Sequence, residues 1–127
     1  MTQDQLFQNM LKRIESDMAT ADDLLHAKRF DWCLFIWHLV IERSLKALLV
    51  KKGIRYPLVH DLERLAREAK IEFTQEELDQ LNEITTYNIE ALYDEIKYEF
   101  YRKATKEYTT RWVNISKKLV NRIKAEL

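Results

Sequence analysis

Three ionisable side chains recur at every fourth position within an otherwise apolar stretch of the sequence. His38, Glu42 and Lys46 lie in a segment dominated by Trp, Leu, Ile and Val. Positions four apart share one face of an α-helix, so these side chains form a narrow polar stripe. Because buried charges are rare, the stripe predicts either an internal row of ion pairs, with Glu42 and Lys46 in the favourable order, or a surface that contacts a ligand.

The chain lacks the residues that most other kinds of catalytic or metal centre require. A phosphate-binding glycine-rich loop needs several glycines, and the chain has one. One cysteine and three histidines do not supply the usual ligands of a zinc site. Only Asp23 and His26 approximate the acid-x-x-His motif of di-metal helical bundles, which need two such motifs and further acids. We therefore expect neither a metal site nor a cofactor.

The elements that position the polar stripe are expected to be helices. With one Gly, one Pro and 33% charged residues, the composition is typical of an all-α protein. We predict an up-and-down bundle of four long helices and one short helix, in a single domain that spans residues 1–127. The first four helices are expected at about residues 3–28, 31–52, 60–70 and 74–92, and an irregular connector at about residues 93–103 precedes the last helix.

Apolar spacing and capping residues define these predicted helices. Intervals of three and four residues give the inward seams of the long helices. Asp31 is expected to cap the second helix, and Gly53 to end it in the left-handed conformation. Thr74 and Glu77 have the pattern of a capping box. The predicted inward residues include Phe7, Leu11, Ile14, Met18, Ala21, Leu25, Leu78, Leu81, Ile84, Leu92, Tyr108, Trp112, Ile115, Leu119 and Ile123.

The sequence also predicts where the protein resides. Cys33 is the single cysteine, so an internal disulfide framework is excluded and a reduced, buried thiol is expected. The first residues lack the basic and apolar regions of a secretory signal. The longest unbroken apolar run, residues 32–37, is much shorter than the ~20 residues that a membrane helix needs. We expect a soluble cytoplasmic protein with no membrane segment.

Charge is balanced overall but not along the chain. Residues 71–96 contain eight acids and no Lys or Arg, whereas residues 97–127 contain nine bases and three acids. If the helices in these segments pack antiparallel, their opposite charges favour the pairing and reduce the attraction for a polyanion. We therefore expect no general nucleic-acid binding and no sequence-specific recognition of DNA.

Aromatic and basic residues alternate between Lys97 and Tyr108. This pattern is typical of surfaces on which single-stranded bases stack, and Tyr98 and Arg102 are then candidate residues at the rim of a binding site. The alternative, and the commoner use of aromatic residues, is that the rings fill the end of the bundle while the charges stay in solvent.

The second predicted helix is apolar around most of its circumference. Neighbouring helices in a four-helix monomer cover about half of a helix, so a wider apolar surface predicts that a second molecule packs against it. On this argument we expect a homodimer.

Three motifs resemble those of HEPN domains, the nucleotide-binding domains of higher eukaryotes and prokaryotes. Residues 38–49 resemble the second-helix signature, Pro57 with His60-Asp61-Leu62 resembles the next motif, and residues 87–94 resemble the fourth-helix pattern. The likeness covers nearly the whole chain. It implies a helical bundle, usually dimeric, of a kind often encoded beside a minimal nucleotidyltransferase, and it implies binding of a nucleotide or RNA.

In a toxin branch of that family, the resemblance implies metal-independent RNA cleavage by an Arg and a His separated by four to six residues. The histidine moves a proton of the 2′-hydroxyl while the arginine stabilises the phosphate charge. Arg55 and His60 have this spacing but precede the third helix, whereas the family's pair lies near a later helix. The matching region, residues 85–94, contains neither Arg nor His. Arg55 is therefore also interpreted as a solvent-facing cation, and His60 as a residue that bonds locally at a helix N-terminus.

Three hypotheses follow. The first is a non-catalytic HEPN protein that binds a nucleotide or a partner protein, as the accessory subunit of a minimal nucleotidyltransferase in a toxin–antitoxin pair. The second is an endoribonuclease toxin that uses Arg55 and His60. The third is a structural dimer without a small ligand. The candidate contact residues for a nucleotide or partner are His38, Glu42, Lys46, Arg55, His60, Asp61 and Tyr87.

Overall fold

The described part of the chain folds into a bundle of six helices. The computed structural model describes residues 1–90 and 94–127. The helices are α1 (Gln3–His26), α2 (Phe30–Lys51), α3 (Leu62–Glu68), α4 (Gln75–Glu90), α5 (Asp94–Lys103) and α6 (Lys106–Lys124). No strand occurs in these two ranges, which agrees with the predicted all-α class. None of these helices combines the length and apolar character that crossing a lipid bilayer requires.

Helix α2 is the central element of the bundle. It packs against each of the other five helices, with the largest contact along α1. Most of its side chains from Cys33 to Val50 are buried within a single copy of the chain. The argument that a monomer leaves α2 half uncovered is therefore wrong, because five neighbours surround it instead of three. A homodimer remains a prediction, but the coverage of α2 does not require it.

A buried ion pair joins α1 to α2. Asp17 lies on the inward seam of α1 between Ile14 and Ala21, and it accepts a hydrogen bond from the Arg43 guanidinium. Arg13 lies 3.5 Å from the other carboxylate oxygen. A buried carboxylate needs such partners, because its desolvation is otherwise strongly unfavourable.

The helix ends agree with the predicted signals in two of three places. Gly53 follows the end of α2 with φ +71°, as expected for a left-handed glycine. The Thr74 hydroxyl and the Glu77 carboxylate each accept the other residue's backbone N–H, which confirms the capping box of α4. Asp31 is not the N-cap of α2, because the helix begins at Phe30 and Asp31 lies in its first turn. A carboxylate there still interacts favourably with the helix dipole.

The predicted connector at residues 93–103 is wrong, because α5 occupies Asp94–Lys103. Phe100 is the one ring of α5 that is buried, whereas Tyr98 and Tyr101 are exposed. The outward face of α5 therefore carries aromatic rings. Because its sequence has no inward apolar stripe, periodicity does not predict a helix there. The predicted inward residue Leu92 lies outside the described residues, as does part of the motif at residues 87–94.

The antiparallel packing that the charge argument assumed for the acidic and basic segments is not found in the described residues. Helices α4 and α6 each pack on α2 and do not run along each other. They meet locally, where the Tyr87 and Tyr108 hydroxyls are 2.7 Å apart and Tyr108 also donates to Glu83. The acids of α4 therefore leave the basic outer face of α6 largely uncovered.

Candidate functional site

The polar stripe of α2 meets the loop that precedes α3. Glu42 accepts hydrogen bonds on both carboxylate oxygens, from Nδ1 of His60 at 2.8 Å and from Nζ of Lys46 at 3.0 Å. His38 lies one turn before Glu42, and its Nε2 is 3.2 Å from the backbone oxygen of His60. We call His38, Glu42, Lys46 and His60 the histidine cluster. It joins three positions of one helix to a residue that follows Glu42 by 18 positions.

Glu42 is ionised in this cluster. Burial alone raises the pKa of its carboxyl, but the hydrogen bonds from His60 and Lys46, together with the Lys46 charge, bring that pKa below its ordinary value. An ionised carboxylate only accepts hydrogen bonds. Nδ1 of His60 therefore carries the hydrogen, and Nε2 of a neutral His60 ring is left as a proton acceptor.

His38 is neutral for the opposite reason. Its ring is fully buried, and burial lowers the pKa of the imidazole, an effect that the nearby Glu42 charge only partly offsets. Because Nε2 faces a carbonyl oxygen, Nε2 carries the hydrogen of the neutral ring. Its Nδ1 is then a buried acceptor without a hydrogen-bond partner among the described residues. His38 thus fixes the backbone of His60 without contributing a charge.

The loop between α2 and α3, residues 52–61, holds several predicted site residues. Asp61 caps α3 by accepting a hydrogen bond from the backbone N–H of Arg64. The backbone N–H of Leu62, the residue after Asp61, donates to the hydroxyl of Thr85 on α4. His60 is 58% exposed at its side chain, although Nδ1 points at Glu42. The prediction that His60 bonds locally at the helix start is wrong, because its partner lies on α2.

A surface groove of about 450 Å³ lies beside this loop. Arg55 reaches it as the exposed cation that the sequence predicts. Tyr56 links the groove to the histidine cluster, because it lines the groove while Nζ of Lys46 lies 5.4 Å from its ring centroid. The other lining residues are mostly apolar: Gln3, Leu6, Val50, Gly53, Ile54 and Leu58. We call this feature the loop groove.

Tyr87 does not belong to this site. It is buried on α4, where its ring stacks on Phe100 at 5.5 Å and its hydroxyl meets that of Tyr108. Lys103 lies 3.0 Å from the Glu83 carboxylate in the same region. Tyr87 therefore helps to join α4, α5 and α6, and the structure does not bring it to the residues of the α2 stripe.

Sequence reasoning missed Tyr56, although a signal was present. Tyr56 stands between Arg55 and Pro57 in a short segment bounded by the chain's single Gly. An aromatic residue in a loop next to a cation is a common contact residue for planar ligands. Tyr98 and Arg102, the candidate rim residues, lie together on α5, where the guanidinium is 6.0 Å from the ring centroid. The structure places them on the exposed face of α5, away from the loop groove.

The histidine cluster does not have the geometry of a metal site. His38 directs Nε2 to a carbonyl, and both oxygens of Glu42 are already bound to His60 and Lys46. Within residues 1–90 and 94–127, no three or more His, Cys, Asp or Glu side chains converge in a way that suits a metal ion.

Comparisons with known proteins place the chain in a family. The fold is similar to that of a solved protein, TT1696 from Thermus thermophilus, with a TM-score of 0.82 over 95% of this chain and 98% of that one. Sequence identity is 15%, so this likeness shows the fold alone. Curated protein sequences give no match. The family model of the HEPN domain matches residues 7–126. The chain therefore belongs to the HEPN domain family.

Proposed function

We propose that this protein is a non-catalytic HEPN protein that binds a nucleotide in the loop groove. The observation that carries this proposal is the position of Tyr56, which lines the groove and also contacts Lys46 of the histidine cluster. Arg55 and the Tyr56 ring thereby line one concave, mainly apolar surface, and Lys46 lies against the same ring. Ligand sites commonly have this composition, with a few polar groups that fix orientation.

The groups of the loop groove suit the two parts of a nucleotide. The apolar side chains of Leu6, Val50 and Ile54 offer a surface for a planar base. Arg55 offers a guanidinium that binds phosphate oxygens in pairs. It forms no ion pair with a carboxylate in the described part of the chain, so an anionic ligand does not have to displace an internal partner. The histidine cluster holds the loop that carries Ile54, Arg55 and Tyr56.

Isothermal titration with ATP, ADP, AMP and GTP tests the proposal. We expect saturable binding of at least one of them, and we expect Arg55→Ala to weaken it about 10-fold or more, because a hydrogen bond to a charged group contributes about 1.5–3 kcal/mol. Arg111→Ala is the matched control, since Arg111 is also exposed but lies on α6. No binding at millimolar nucleotide, or equal losses in both variants, contradicts the proposal and favours a structural protein without a small ligand.

We also propose a minimal nucleotidyltransferase as the protein partner and a homodimer as the assembly. Both proposals rest on the family resemblance. Co-expression of this chain with a nucleotidyltransferase encoded beside it tests the first, and we expect the two proteins to copurify at a fixed ratio. The absence of such a neighbouring gene, or separation of the two proteins on a sizing column, contradicts it.

A ribonuclease is the second candidate function, and one contact favours it. Glu42 accepts the hydrogen of His60 Nδ1, and the His60 side chain is 58% exposed, so Nε2 is the ring nitrogen left as a potential general base. Arg55 would have to reach the same phosphodiester from the loop groove. Incubation with RNA in the presence of a chelator decides between the functions. Our proposal predicts no cleavage, whereas cleavage that is lost in both His60→Ala and Arg55→Ala establishes the nuclease.

A further inference from the structure

The three histidines of the chain lie in three different environments. The His38 ring is fully buried between α2 and the loop that precedes α3. His26 and His60 are exposed, with 77% and 58% of their side chains accessible to solvent. Of the three rings, these two can therefore meet a dissolved reagent.

The two exposed rings differ in the group that holds Nδ1. Nδ1 of His60 lies 2.8 Å from a carboxylate oxygen of Glu42, whose side chain is 8% exposed. Nδ1 of His26 lies 2.8 Å from the backbone oxygen of Asp22, and the exposed carboxylate of that residue is 3.6 Å away. Both acceptors keep the hydrogen on Nδ1, so Nε2 of a neutral ring carries the free lone pair. Within the described residues, Nε2 of His60 has no hydrogen-bond partner.

The Glu42 carboxylate makes Nε2 of His60 a stronger nucleophile. When Nε2 forms a bond to an electrophile, the ring becomes positively charged while its hydrogen stays on Nδ1. The ionised Glu42 faces that charge at hydrogen-bond distance in a shielded position, where electrostatic stabilisation is stronger than in water. A carboxylate stabilises the imidazolium of the serine-protease triad in the same way. The carbonyl that faces His26 carries only a partial charge and stabilises the charged ring less.

The charges around His60 suit an anionic electrophile such as a phosphoryl group. The Lys46 ammonium lies 3.0 Å from the other oxygen of Glu42 and balances its negative charge. Asp61, the next residue, directs its carboxylate to the backbone at the start of α3. Arg55 adds an exposed cation to the same loop. An incoming phosphoryl group therefore does not meet an uncompensated anion.

We propose that Nε2 of His60 is a phosphorylation site that accepts its phosphoryl group from a phosphoramidate donor. The Nε2 lone pair attacks phosphorus, a new N–P bond forms, and the N–P bond of the donor breaks. The donor nitrogen is protonated before that bond breaks, so it leaves as a neutral amine with the electron pair. The hydrogen of His60 stays on Nδ1, which makes Glu42 a positioning residue. This inference does not rest on the proposed nucleotide site, because His60 is not among the residues that line the loop groove.

Labelling of the wild-type chain with inorganic phosphoramidate at mildly alkaline pH is the first test. Mass spectrometry of peptides measures the labelling rates of His26 and His60, and phosphorus NMR identifies the labelled ring nitrogen. We expect His60 to be labelled about 10-fold faster than His26, because a charge-assisted hydrogen bond stabilises the charged ring more than a carbonyl does. The label should lie on Nε2 of His60. In urea the two rates should become equal, since the contact with Glu42 is lost.

Glu42→Gln tests the positioning residue. The amide oxygen still accepts the hydrogen of Nδ1 but has no full charge, so we expect labelling of His60 to slow about 10-fold while that of His26 stays constant. Glu107→Gln, which removes an exposed acid of α6, is the matched control and should change neither rate. Equal rates at His26 and His60 in the folded wild type, or a label on Nδ1 of His60, overturn the proposal whether or not Glu42→Gln folds. Unchanged labelling in a folded Glu42→Gln overturns it as well.

Discussion

His38 and Glu42 are one helical turn apart, yet burial acts on them in opposite ways. The Glu42 carboxylate is stabilised by two hydrogen-bond donors and keeps its charge. The His38 ring has a carbonyl as its partner and loses its charge. The fold therefore favours an anion at Glu42 and a neutral imidazole at His38.

Acid should destabilise the protein first through His38. Its pKa in the folded protein lies below the ordinary value of 6.5, so the unfolded chain binds a proton there before the folded chain does. Stability from this residue is complete above pH 6.5 and is lost progressively as the pH falls below that value. Chemical denaturation at pH 7.5 and pH 5.5 measures the loss.

His38→Gln supplies the control for that measurement. Glutamine keeps a donor for the His60 carbonyl but does not titrate. We expect this variant to show a smaller loss of stability between the two pH values than the wild type, whatever its stability at pH 7.5. An equal loss in both proteins refutes the role assigned to His38, and Glu42 cannot mimic the effect because its lowered pKa lies below 4.5.

The sequence placed three of the four members of this cluster together. The four-residue spacing predicted that His38, Glu42 and Lys46 share a face, because helix geometry alone decides it. The contact between Glu42 and His60 depends on the path of the loop from residue 52 to residue 61, which no local spacing encodes. The same limit of sequence reasoning applies to Arg55 and His60, because their spacing along a loop does not determine where each side chain points.

Among the described residues, three helix ends are followed by a residue in the left-handed conformation. Lys28 with φ 61°, Gly53 with φ 71° and Lys70 with φ 60° follow the ends of α1, α2 and α3. A side chain in this conformation is unfavourable by about 1 kcal/mol, whereas glycine adopts it without strain. The two lysine positions are therefore suboptimal for stability.

Exchanging residues at these positions should change stability in opposite directions. Lys70→Gly is expected to raise the free energy of unfolding by about 0.5–1 kcal/mol, and Gly53→Ala to lower it by about 1 kcal/mol. No atom lies within 4 Å of a Cβ built at Gly53, so the second effect is purely conformational. Urea denaturation of the two variants measures both values, and changes of the same sign in both run against this explanation.

A helix could be predicted from the sequence where its buried apolar residues repeat at clear helical spacing. Helices α1 and α6 were predicted because Ile14, Ala21, Leu119 and Ile123 repeat at helical spacing and are buried. Helix α5 was not predicted, because its rings lie mainly on the outer face. The class of the fold therefore follows from composition and periodicity, whereas a helix that buries a single ring, Phe100, does not.

At the scale of the whole molecule, the loop groove lies at the C-terminal end of α2, beside Val50. Exposed aromatic side chains lie at the other end of α2, where Nζ of Lys97 is 4.9 Å from the Trp32 ring centroid. The sequence showed the charge asymmetry but not its arrangement, since the separation of α4 from α6 depends on how both pack on α2.

Nuclear magnetic resonance with added ATP tests the central claim, a ligand site at the loop that the histidine cluster holds. We predict that the amide shifts that change on titration cluster at residues 53–60 and near Lys46, and that they disappear in Arg55→Ala. Shifts confined to α5 and α6, or a spectrum that stays unchanged at millimolar ATP, contradict the claim.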